Sequence, residues 1–143
     1  MEYTKTVGVV VLHEDEVLVV RHTEGATHHT GVVGFPAGRI QEGETSRQAA
    51  VRELREESGL IANEQELIPL PRIFKAELET KRGREHFEWT VFLCTAYTGE
   101  LESSDETEPF WVRLAETETL PTLVNFRDAL SDALQLRQAL ITE

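Results

Sequence analysis

The sequence predicts an α/β domain, with a mixed β-sheet packed between helices. Two observations carry that expectation. First, two β-branched runs near the N-terminus, residues 7–12 and 16–21, are almost continuously apolar. A strand wetted on one face alternates polar and apolar residues, so these read as strands covered on both faces by helices. Second, two stretches, the charged one within 38–60 and the last twenty residues, carry apolar side chains at helical spacing.

Taken in order, the first two runs are separated by His13, Glu14 and Asp15, a polar turn, and so form a hairpin. Residues 22–31 make a polar loop holding two glycines and three histidines, His22, His28 and His29. Residues 32–35 are a short apolar piece, stopped by Pro36 and followed by Ala37 and Gly38. The next helix starts near Thr45, where Thr45 or Ser46 caps it, and stops at Ser58 with Gly59 as its C-terminal cap. Its apolar stripe is Ala50, Val51 and Leu54, offset from its glutamates, so that it docks on the sheet and presents its acids outward. Residues 67–78 and 87–97 read as two longer strands joined by a polar turn at 79–85, then 99–109 as an acidic loop and 110–114 as a short strand. From about 122 to 140 an amphipathic helix carries Phe126, Leu130, Ala133, Leu134 and Leu140 on one side, with Pro121 at its start. No repeat, low-complexity tract or linker interrupts the chain, so residues 1–143 are expected to form one domain.

Composition narrows the function classes. A chain of 143 residues can bury a core without disulfides, and 40% hydrophobic with 28% charged residues is ordinary for a globular protein. A net charge of −12 opposes stable nucleic-acid binding, which rests on neutralising phosphates. It leaves room for a phosphate-bearing small molecule where a divalent metal or a few local cations mediate. The single cysteine, Cys94, cannot form an internal disulfide and sits among apolar neighbours, which suits a reducing cytoplasm and a core position. No apolar run approaches membrane-spanning length, and the N-terminus lacks the basic start of a signal peptide. The expectation is a cytoplasmic protein with a small-molecule partner and no membrane; a homodimer is left open.

The chemistry concentrates in residues 38–60. Glu53, Glu56 and Glu57 stand at helical offsets of three and four and share one face, where Glu53 and Glu57 repel each other. Such a face is either solvated and salt-bridged or filled by a cation, and glutamate oxygens are the hard ligands that Mg²⁺ and Mn²⁺ take. The full spacing favours the cation. Gly38, Glu44, Arg52-Glu53-Leu54, Glu56-Glu57 and Gly59-Leu60 resemble the Nudix box without a departure. The resemblance to Nudix hydrolases extends to Phe35-Pro36-Ala37-Gly38, the preceding hairpin, the acidic loop with its Phe110-Trp111-Val112 strand, and the terminal helix.

That resemblance implies an α/β/α sandwich and a Mg²⁺- or Mn²⁺-dependent pyrophosphohydrolase. Water attacks phosphorus in a nucleoside triphosphate or another nucleoside diphosphate derivative, releasing a nucleoside monophosphate. An ADP-ribose or nucleotide-sugar pyrophosphatase and a non-catalytic nucleotide-sensing module are the alternatives. Carried over by position, Glu53, Glu56 and Glu57 are metal ligands, joined by the Gly38 carbonyl. Glu44 and Arg52 pair to hold the loop against the helix, and Gly59 ends it. The base that activates water is Glu53 or a carboxylate of the later loop, where Glu106 is favoured over Glu102, Asp105 and Glu108. Arg21 reads either as a bidentate phosphate ligand or as a surface ion pair. Lys81, Arg82 and Arg84 at a hairpin tip serve solubility or a phosphate, and His28 and His29 read as loop residues near substrate. Among Phe35, Phe74, Phe87 and Trp111 one is available to stack on a base, and Phe35, next to the box, is assigned to substrate.

Overall fold

The computed structural model describes residues 2–22 and 31–142. The loop histidines His28 and His29 lie outside the described residues. Along the chain run the strands β1 (Thr4–His13), β2 (Glu16–His22), β3 (Val33–Gly34) and β4 (Ala37–Arg39), followed by the helix α1 (Ser46–Ser58). Four further strands, β5 (Ile68–Pro69), β6 (Phe74–Thr80), β7 (Gly83–Cys94) and β8 (Thr107–Arg113), lead to α2 (Phe126–Thr142).

The predicted hairpin forms, but β1 and β2 stay paired only at Leu12–Val17 and His13–Glu16 before they part. One segment fills both edges thus freed. β3 pairs with β2, β4 pairs with β1 through Val7–Gly38 and Gly8–Ala37, and between them the Val9 N–H donates to the Pro36 carbonyl at 2.9 Å. The Ala37–Gly38 turn into the box therefore sits in the split between the strands, its backbone fixed on β1. On its other edge β1 runs parallel to β7, from Thr4–Phe87 to Val11–Cys94, and β8 covers the outer edge of β2 antiparallel.

Both faces of the sheet are buried, as the valine runs require. Val7, Val9, Val11 and Leu18 pack with Ala49, Ala50 and Leu54 of α1, whereas Val10, Leu12, Val17 and Val19 pack with Phe126, Leu130 and Ala133 of α2. The result is the expected α/β/α sandwich. Cys94 is buried on the α1 side, and burial pushes its thiol up to about 11. Among the described residues no helix is long and apolar enough to cross a membrane.

α1 begins and ends where its local signals put it. The Thr45 hydroxyl accepts from the Gln48 N–H at 3.1 Å while the Gln48 side chain accepts from the Thr45 N–H at 2.9 Å, a reciprocal cap. At the other end Gly59 adopts φ 87°, and a Cβ there would press on the Glu100 carbonyl. Gly59→Ala is expected to cost about 1–3 kcal/mol, read as a fall in Tm of roughly 3–10 °C.

Several boundaries move. The strand expected over 67–78 breaks into β5 and β6, because Pro69 and Pro71 carry no N–H for a ladder. The polar turn expected at 79–85 is mostly strand: Glu79 faces Arg84 and Leu78 faces Glu85, with Arg84 bonded to Glu77 at 3.0 Å, so opposite charges stabilise a polar ladder. β8 starts at Thr107, which takes Glu108 out of the loop. α2 starts at Phe126 rather than 122, since the preceding residues run beside β3, with Val33 donating to the Pro121 carbonyl and Leu123 donating to the Val33 carbonyl, both at 2.9 Å. Leu140 is exposed and does not belong to the packed side of α2, and in α1 it is Ala49 rather than Val51 that is fully buried.

Candidate active site

The glutamate face of α1 does not point outward as the sequence suggested; its inner part is turned onto the β4 turn. Glu53 is buried, and its carboxylate occupies the space where a Cβ on Gly38 would stand. Glu57 accepts a hydrogen bond from the Ala37 N–H at 2.8 Å. The glycine of the box is therefore required for a close approach, and the split between β1 and β2 is what brings that backbone to the helix. Glu56, one residue away, is exposed.

Arg52 organises the rest. Its Nε and Nη2 donate to the two Glu44 oxygens at 2.6 and 3.0 Å, and Nη2 also donates to the Arg39 carbonyl at 3.0 Å. Nη1 donates to Glu53 at 2.6 Å and to Glu56 at 3.2 Å. The expected Glu44–Arg52 pair exists and ties the 40–44 loop to the helix, with Glu44 also accepting from the Gln41 N–H at 2.8 Å. Bonding to Arg52 holds the Glu44 carboxyl below its ordinary range. Glu53 is displaced upward by burial, against the pull of Arg52.

Glu57 is the outlier. Burial pushes its carboxyl up to about 8, and the charges of Glu53, Glu56 and Glu106 add to the displacement while only the Ala37 N–H opposes it. Among the described residues Glu57 forms no ion pair, whereas Glu53 and Glu56 both contact Arg52. A half-buried carboxylate ringed by other carboxylates and lacking a counter-charge fits a divalent cation, and the donor set is the hard-oxygen kind that magnesium and manganese take. Among the described residues no three acidic, histidine or cysteine side chains stand in a metal-holding arrangement, and Glu53 and Glu56 both accept from Arg52.

Glu106 reaches the same place from the acidic loop. That loop is fastened to the end of α1 by the Glu102 N–H donating to the Ser58 carbonyl at 2.8 Å. The Ser104 hydroxyl accepts from the Glu106 and Thr107 N–H groups at 3.3 and 3.1 Å. These bonds set Glu106 near enough for its charge to act on Glu57.

Beside Gly38 opens a cavity of about 600 Å³. Its floor is β7, where Phe87 and Trp89 are stacked with centroids 5.5 Å apart, and its end wall is Phe35 lying flat on Phe126 at 4.3 Å. Phe35 thus lines the cavity. Arg21 does not; it pairs with Glu108 at 3.0 Å across the β2–β8 ladder and stacks on the Phe110 ring at 4.5 Å.

Among the lining residues not singled out from the sequence are Arg39, Trp89 and Asn125. Arg39 lies over the Phe87 ring and donates to both Glu85 oxygens at 3.1 and 3.2 Å. Arg39, with the Thr80 and Thr4 hydroxyls, holds Glu85 down to about 2. Trp89 was hidden in an apolar run. Asn125 adopts φ 69° just before α2 and donates its amide to the Lys75 carbonyl at 3.2 Å. Asparagine is among the few residues that tolerate that backbone, but the sequence places Asn125 inside the helix expected from 122.

An α/β/α sandwich with a glycine turn packed on a buried glutamate face defines a class before any comparison is made. A model of the NUDIX domain matches residues 2–134, and the chain belongs to the Nudix family. It is 40% identical over 78 residues to an oxidized purine nucleoside triphosphate hydrolase of Danio rerio, a match covering 54% of this chain and 46% of that protein. It is 41% identical over 54 residues to the 8-oxo-dGTP diphosphatase of Escherichia coli, covering 38% and 41% respectively. The chain thus spans less than half the length of these curated relatives. Among solved structures, a MutT Nudix hydrolase from Burkholderia pseudomallei superposes with a TM-score of 0.78 at 22% identity, over 92% of this chain and 98% of that one, a likeness of fold.

Proposed function

We propose that the chain is a metal-dependent pyrophosphohydrolase that cuts a phosphoanhydride bond in a nucleoside triphosphate or another nucleoside diphosphate derivative and releases a nucleoside monophosphate. The observation that carries this reading is the half-buried Glu57, without an ion pair among the described residues, bonded to Ala37, which with Gly38 lines the aromatic-floored cavity. Glu53, Glu56 and Glu57 with the Gly38 carbonyl would hold Mg²⁺ or Mn²⁺. When bound, such a cation neutralises the diphosphate, polarises phosphorus and lowers the pKa of a bound water.

The chain's own residues do the rest. The Ala37 N–H fixes one Glu57 oxygen and so orients the other. Arg52 keeps Glu44, the 40–44 loop and the helix in register, and it neutralises part of the acid face. Glu53, or Glu106 from the loop, accepts one proton of the attacking water as its oxygen bonds to phosphorus, and the bridging P–O bond breaks with its electrons on the departing half of the anhydride, so that a triphosphate gives the monophosphate and pyrophosphate. Phe35 and Trp89 offer flat apolar surface to a base, while Asn125 offers an amide to its edge.

Product analysis by chromatography tests the reading. Incubated in Mg²⁺ with dGTP, 8-oxo-dGTP and ADP-ribose, the protein is expected to yield a nucleoside monophosphate from at least one of them. Absence of monophosphate from all three, in Mg²⁺ and in Mn²⁺, would count against it. Millimolar Mg²⁺ is also expected to raise Tm, because a cation bound only to the folded form adds about 2.7 kcal/mol at a hundred times its Kd.

A further inference from the structure

Resting on the reading that the scissile diphosphate lies against Glu53, Glu56 and Glu57, we propose that the cavity takes a substrate bearing a second phosphoryl group away from that diphosphate, received by Lys81 and Arg82. The cavity is not confined to the part lined by Phe35 and Trp89. It continues along β7 past Phe87 and Glu85 to the β6–β7 tip, where Lys81 and Arg82 line it. The register places this tip, Thr80 opposite Gly83, at the end of β7 remote from α2.

The charges at this tip are sorted. Arg84 is committed to Glu77 at 3.0 Å and Glu79 at 3.5 Å. Glu85 is committed to Arg39. Among the described residues, neither Lys81 nor Arg82 has a carboxylate within ion-pair distance. In a chain of net charge −12, two unneutralised cations on the rim of an apolar cavity match an anion more closely than they match solvent alone. A solubilising tip needs no alignment with a cavity, whereas these two residues share one with Gly38. An ammonium and a guanidinium together suit a phosphoryl group, through charge-assisted hydrogen bonds. The class of substrate is a nucleotide phosphorylated on its sugar, or a dinucleotide whose second half carries that phosphate.

Calorimetry on the Mg²⁺-loaded protein tests this with AMP, adenosine 2′,5′-bisphosphate and adenosine 3′,5′-bisphosphate. At least one bisphosphate is expected to bind about tenfold more tightly than AMP. The double variant Lys81→Ala/Arg82→Ala should remove that advantage while leaving Kd for AMP within about twofold and Tm unchanged, since both side chains are exposed. Lys81→Arg should retain it, and rising NaCl should shrink it. Equal affinities for AMP and both bisphosphates, binding of none of them, or an advantage that survives in the double variant would overturn the proposal. Monophosphate formation from the triphosphate panel stands apart from this result: panel turnover with equal affinities sinks the second phosphate site alone, and loss of panel turnover sinks the reading beneath it.

Discussion

Glu57→Gln is expected to lower kcat about a thousandfold, and to make the metal-free protein more stable at pH 8.5. The first effect follows from removing a charged oxygen ligand whose cation supplies several kcal/mol of transition-state stabilisation. The second follows from linkage. The Glu57 carboxyl rises to about 8 in the folded protein against an ordinary 4.5. A folded pKa raised in this way gives stability that is complete below about 4.5 and lost as the pH climbs through about 8, where the fold must bury a charge. Glutamine keeps the acceptor for the Ala37 N–H and carries no charge, so in EDTA the variant should gain about 2–4 kcal/mol above pH 8 and little at pH 4. Thermal melts of both proteins from pH 4 to 9 in EDTA check this. A variant less stable than its parent at pH 8.5 would show that Glu57 serves the fold.

Gly38→Ala is the second large effect, and it arises from a single carbon. A Cβ at this position overlaps the Glu53 carboxylate. The backbone cannot withdraw, because Gly38 is paired with Val7 inside the sheet. Glu53 must therefore swing away, breaking its bond to Arg52. Displacement of a positioned group by about 1 Å costs on the order of a hundredfold in rate. Steady-state kinetics should show that loss in kcat, accompanied by a fall in Tm of a few degrees as the buried carboxylate is expelled. Wild-type kcat in Gly38→Ala would mean that Glu53 has no part in the reaction.

The contrast between these two residues shows what could be read from the chain. Local signals were reliable: Thr45 and Gln48 cap α1 reciprocally and Gly59 ends it, because capping depends on residues a few positions apart. The valine runs announced a sheet buried on both faces for a similar reason. Helical spacing also showed that Glu53, Glu56 and Glu57 share a face. It could not say what the face meets: Glu53 is buried and Glu57 half-buried against β4, a strand twenty residues earlier that reaches them only because β1 and β2 part. The cavity was illegible for the same reason. Its floor, its end wall and its rim come from β7, from Phe35 with Phe126, and from the β6–β7 tip, which no sequence interval links. Arg21 was open between two readings in the sequence, and a cross-strand partner, Glu108, decided its surroundings.

The measurement that bears most directly on the whole account is the rate of nucleoside monophosphate formation from the preferred nucleotide, followed while EDTA strips the protein and Mg²⁺ is then restored. Turnover is expected to stop in EDTA, to return with Mg²⁺ in the parent protein, and not to return in Glu56→Gln or Glu57→Gln. Turnover that persists in EDTA, or full activity in either variant, would contradict it.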